Sequence, residues 1–262
     1  MQLNLLTSKQ AINKAYLREK VNRADIEQFK TRFADLLNKI NDKADEEHLK
    51  SLIADFLKFS WYKDAFQINP IGKNDLVIHT GKLPSDPVGV ILEVKSAVNK
   101  TEMISTAKPN AKALHELILY YLDERITKNK HEIKQLIATN IFEWFVFDAN
   151  EFDKKIYRNA NIKKLYEQKK ADHKDNPWFY EEIKKLLDDK DFSLEATYFD
   201  IRHYKIPAKN SISDEDANLI PLYKILSPVH LLKLPFANDS NSLQPKFYSE
   251  LLHLIGLYEY KE

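Results

Sequence analysis

The sequence predicts an α/β sandwich of modest size. Two observations carry this: apolar residues recur at helical spacing early in the chain, and short apolar runs follow between turn residues. In order, Ile26, Phe29, Phe33, Leu36, Leu37 and Ile40 mark an amphipathic helix over 23–41, and Leu49, Leu52, Ile53, Phe56 and Leu57 a second over 45–58. Phe66 and Ile68 suggest a short strand that Pro70, Ile71 and Gly72 break, and Leu76, Val77 and Ile78 form the next. The run VGVILEV at 88–94 is apolar enough for a central strand buried on both faces. A helix, AKALHELILYYLDERI, follows Pro109, and IKQLIAT and FEWFVFD then read as two further strands. Helix, three strands, helix, two strands closes a unit near Asp148.

The texture changes from Glu151 onward. Lys-rich helical stretches anchored by Ile162, Leu165, Tyr166, Phe179 and Ile183 lead to a loop, IPAKNSISDEDAN, and a final helix, FYSELLHLIGLYEY. Five of the ten prolines fall between Pro207 and Pro245, which predicts extended connections there. The expected division is therefore a first domain over 1–150 and a mostly helical region over 151–262, sizes ordinary for domains of a 262-residue chain.

Composition removes several kinds of chemistry. With no cysteine, thiolate nucleophiles, disulfides and Cys-based metal sites are excluded. With only four glycines there is no GxGxxG, GxxxxGK[ST] or GxSxG, so dinucleotide, phosphate-loop and serine-hydrolase sites lose their turns. The eight histidines include no HxxxH pair. No apolar run is long enough to span a bilayer and the N-terminus lacks a leader pattern, so the expected location is the cytoplasm, with no membrane partner. A net charge of +1 requires any nucleic-acid surface to be local. Candidates are the basic N-terminal stretch of Lys9, Lys14, Arg18, Lys20 and Arg23, and the lysines Lys100, Lys108 and Lys112; solvated helix faces would show the same pattern.

The stretch NDLVIHTGKLPSDPVGVILEVK, from Asn74 to Lys95, concentrates the remaining chemistry. Asp75 opens one strand, and Glu93 and Lys95 share a face of the next, because side chains alternate along a strand. Two carboxylates and an amine converging on a small volume can hold a divalent cation and polarise a water. An E-x-K on a strand also arises by chance in a chain with 30% charged residues, as a surface ion pair. His79 reads as a satisfied structural histidine, His115 and Tyr120 as packing, and Trp144 and Phe145 as core.

The spacing D-x17-E-x-K resembles the PD-(D/E)xK nuclease motif, with Asn74 in place of the proline. The wider string EEHLKSLIADFLK, NDLVIHTGK, VGVILEVKS, ALHELILYYLDER, IATNIFEWFVFDANEF, SPVHLLK and FYSELLHLIGLYE resembles the N-terminal nuclease and helical connector of bacterial type IIG restriction-modification enzymes. That resemblance implies a restriction-endonuclease-like mixed sheet flanked by helices, followed by the connector. It implies a metal-dependent endonuclease that hydrolyses phosphodiesters of double-stranded DNA. Asp75, Glu93 and the Val94 backbone carbonyl would bind Mg²⁺, or Mn²⁺, and Lys95 would orient or help deprotonate the attacking water. An accessory acid would come from Glu46 or Glu47, and backbone contacts from Lys100, Lys108 and Lys112. The family's methyltransferase motifs do not occur, so S-adenosylmethionine is not expected on this chain, and the methyltransferase and target-recognition domains are expected on a longer polypeptide. The alternative is a nuclease-like module without catalysis that binds DNA or protein.

Overall fold

In the computed structural model, residues 1–41, 44–71, 74–208, 216–236 and 245–257 are described. Seven strands form one sheet in the order β1-β7-β6-β5-β4-β3-β2. They are β1 (Gln2–Leu6), β2 (Ile68–Ile71), β3 (Asn74–His79), β4 (Val88–Val94), β5 (Gln135–Thr139), β6 (Glu143–Asp148) and β7 (Ser193–Asp200). The β1/β7 and β4/β5 pairs are parallel and the others antiparallel, so the sheet is mixed. Every residue of β4 is buried, as a central strand with helices on both faces requires.

Alternation along β4 sorts its side chains between two cores. Val90, Leu92 and Val94 face the layer built by the Arg23–Lys39 and Glu46–Leu57 helices, where Phe29, Phe33, Leu49 and Ile53 are fully or almost fully buried. Ile91 faces the opposite layer, built by the Lys112–Leu122, Ala160–Ala171 and Asn176–Leu187 helices. Both early helices start on side-chain caps. Asn22 and Asp45 are N-caps, their side chains accepting from the backbone N–H of Ala24 and His48.

The structure departs from the expected division at 150. Neither the sheet nor the core breaks there: β7 lies between β1 and β6, and Phe152, Phe179, Ile183 and Leu194 belong to the same core layer as Leu114 and Phe147. The region expected to be a mostly helical connector thus supplies a strand as well as helices, and β1 lies ahead of the basic stretch, where no element was read. Both strands were missed for one reason. Their partners lie far away in sequence, Gln2 pairing with Ser193 and Glu143 with Asp200. Among the described residues no helix is long and apolar enough to cross a membrane.

Candidate functional site

The site forms where β4 runs out at the end of the sheet. Main-chain pairing with β5 continues to Lys95, whose N–H donates to the Thr139 carbonyl at 2.8 Å. Glu93 and Lys95 therefore keep the strand alternation and present both side chains to the Lys112–Leu122 helix. There the Lys95 ammonium sits between two carboxylates, 2.6 Å from Glu93 Oε1 and 2.6 Å from Glu116 Oε2. All three residues are buried: Glu93 is 1% exposed, Lys95 4% and Glu116 8%. Burial alone would lower the pKa of Lys95, but Glu93 and Glu116 outweigh it and hold the ammonium well above its ordinary range. Lys95 is thus a fixed cation at neutral pH.

Glu116 was not anticipated. It lies in a helix whose every residue from Ala113 to Leu122 is buried, so its carboxylate must find a cationic or donor partner, and Lys95 is that partner. Around this triad, Lys112 pairs with Glu102 at 2.9 Å and approaches Glu116 at 4.0 Å.

The two acids at the start of the preceding helix are placed differently. Glu46 reaches the end of β4, its Oε1 accepting from the Ser96 backbone N–H at 3.3 Å. Glu47 points away, with its side chain 83% exposed and paired with Lys50. Asp75 lies in β3 next to Leu76, which pairs with Leu92, so the register carries it to the level of Glu93; its side chain lies outside the described residues. Lys100 and Lys108 are exposed and Lys112 is engaged by Glu102. His79 is structural: Nδ1 meets the Asp86 carbonyl and Nε2 the Asn69 side chain, each at 2.7 Å. Trp144 and Phe145 are fully buried core, and the indole N–H donates to the Ile141 carbonyl.

A cleft of about 740 Å³ adjoins the triad, with Glu116, Lys112, Lys108, His115, Tyr180 and Lys184 on its walls. One wall is the Asn176–Leu187 helix, so residues beyond 150 help enclose the site. Burial, with Glu116 and Glu93 nearby, pushes the Tyr180 phenol well above its ordinary range. His115 faces Asn110 Oδ1 at 2.6 Å, and Asn110 in turn donates to the Lys184 carbonyl at 2.9 Å.

Burial, with Lys184 close by, lowers the His115 pKa to about 4. A base whose folded pKa lies below its unfolded value costs stability when it must be protonated. The fold should therefore hold full stability above about pH 6.5 and lose on the order of 2 kcal/mol as pH falls toward 4. Urea unfolding of His115→Gln across that range should show a shallower acid limb than the parent chain; parallel limbs would reject the assignment.

The domain family described as a domain of unknown function (DUF7149) matches residues 6–239. The chain belongs to the DUF7149 family. No curated protein and no solved structure matches it. The DUF7149 match runs through β2 to β7 and across position 150, in keeping with a core that does not divide there. It also contains every member of the Glu93–Lys95–Glu116 triad.

Proposed function

We propose that this chain is a metal-dependent DNA endonuclease of the PD-(D/E)xK type, the nuclease part of a restriction-modification enzyme. The observation that carries the reading is the placement of Lys95. A buried ammonium clamped by Glu93 and Glu116 at the end of a central strand, beside an open cleft, is costly to build for stability alone. The mixed α/β sheet flanked by helices is compatible with that fold type.

The donors suit Mg²⁺. Glu93 and the Val94 carbonyl offer only oxygen, the ligand class that hard divalent cations take, and Asp75 would add the second carboxylate from β3. Among the described residues no three acids or histidines form a ready metal cluster, so the reading requires Asp75. Bound there, the cation would polarise the scissile phosphate and lower the pKa of the attacking water. The water oxygen would form the new bond to phosphorus as the P–O3′ bond breaks, the water's proton leaving to solvent and the departing 3′ oxygen taking one up. Lys95, already charged, offsets negative charge on the phosphorane and orients the water rather than taking its proton. Glu116 holds Lys95 in place, and Glu46 steadies the backbone at Ser96. The substrate would be double-stranded DNA, with sequence choice supplied by methyltransferase and target-recognition domains.

Supercoiled plasmid nicking with Mg²⁺ or Mn²⁺ at low salt tests this. The parent chain should nick, while Glu93→Gln and Asp75→Asn should each lose about a hundredfold or more. Equal traces in all three preparations would mean a contaminating nuclease and would sink the reading.

A further inference from the structure

The end of the sheet that carries the triad does not stop at β4. Strand directions bring Glu93 of β4, Thr139 of β5, Glu143 of β6, Asp200 of β7 and Leu6 of β1 to the same rim. Where β7 and β1 leave the sheet, a cavity of about 840 Å³ opens, with Ser8, Lys9, His203, Tyr204 and Lys205 on its walls and no acid among its described lining residues. Lys9, His203 and Lys205 are exposed, and among the described residues no ion pair engages either lysine. Ser8 is only 5% exposed, and its Oγ lies 3.5 Å from the Tyr204 hydroxyl, so polar hydrogens stand beneath the cations.

We propose that this groove is a second contact for the phosphate backbone of duplex DNA, on the same rim as the reacting centre, an inference that rests on the nuclease reading for its geometry. In the strand order β7 is three places and β1 four places from β4. At about 4.8 Å per strand this puts the groove roughly 14–19 Å from Glu93. Phosphates along one strand recur every ~3.4 Å of duplex axis, so the groove meets the backbone about four to six base steps from the scissile phosphate.

The acids lying between are occupied internally. Glu143 accepts from the Tyr198 hydroxyl at 3.0 Å and the Asn140 amide at 3.3 Å, and Asp200 pairs with Arg202 at 2.6 Å. Point charges exposed on two separate segments suit a continuous polyanion. They neutralise phosphates without reading bases, so the contact should be independent of sequence.

The test is duplex binding by fluorescence anisotropy, on the full chain in EDTA, with Lys9→Glu/Lys205→Glu compared with the parent. A duplex of about 20 base pairs should bind the double variant at least about tenfold more weakly, with a salt slope lower by about 2 between about 50 and 200 mM. Both residues are exposed, so an unchanged melting temperature shows that the fold is intact. Unchanged affinity and slope, or no duplex binding by the parent, overturns the proposal, as does binding of inorganic phosphate alone at this groove. The nicking assay separates the two readings. If the parent nicks and the double variant nicks equally well, the groove falls and the nuclease stands. If duplex binding depends on the lysines while no preparation nicks, the nuclease falls and the groove stands.

Discussion

Lys95→Met is expected to abolish DNA cleavage and to destabilise the fold by about 3–5 kcal/mol near neutral pH. The methionine keeps most of the apolar stem, so little of the loss comes from a cavity. It comes instead from two buried carboxylates, Glu93 and Glu116, that lose their common cation. Desolvated and facing each other without a cation, the two negative charges repel. Protonating one of them relieves that repulsion, so the deficit should be greatest at pH 8 and shrink as pH falls toward 5. The parent chain behaves oppositely with respect to this residue. The pKa of Lys95 is raised, so its contribution is complete below about pH 10.4 and is lost only above that.

Urea unfolding at pH 8 and pH 5 measures both. The double variant Glu93→Gln/Lys95→Met should recover much of the stability at pH 8 without recovering cleavage, because it removes one uncompensated charge together with the proposed metal ligand. A deficit equal at the two pH values would show that Lys95 is held by packing rather than by the two acids. A Lys95→Met chain that still nicks DNA at the parental rate would remove Lys95 from the chemistry.

The sequence disclosed this site unevenly, for physical reasons. Glu93 and Lys95 were legible because strand alternation is a local rule and β4 is a continuous apolar run. Glu116 was hidden because its partner is on another element, and only the helix packing onto the sheet brings them together. Glu46 and Glu47 are neighbours that differ by one step of helix rotation, roughly 100° at 3.6 residues per turn, which tertiary packing alone settles. The same limit applies to the fold. The helices over 160–171 and 176–187 follow from local periodicity, whereas β7 alternates only in part: Leu194 and Ala196 are buried and Glu195 is exposed, but Thr197 is buried as well. What makes it a strand is the slot between β1 and β6.

That slot gives the strongest expectation about the fold: a chain ending at Asn150 should not form a cooperative native state. Such a chain would leave β1 without its partner and turn β6 into an exposed edge. It would also open both core layers, removing Phe152, Ile156, Phe179 and Ile183 from one and Phe199, Leu222, Ile225 and Leu231 from the other. The early helices depend on this later region directly, since the buried Tyr62 hydroxyl donates to the Leu226 carbonyl at 2.8 Å. Each large apolar side chain is worth about 1.5–3 kcal/mol on burial, so a handful exceeds the roughly 5–15 kcal/mol that holds a whole domain together. The truncated chain should be insoluble, or expanded with no sigmoidal urea transition, while a chain ending at Phe236 should unfold cooperatively. A well-folded 1–150 fragment with dispersed amide resonances would establish the division that the core contradicts. It would also detach the Asn176–Leu187 wall of the cleft from the Glu93–Lys95–Glu116 triad, leaving Lys95 and Glu116 more exposed than the intact chain holds them.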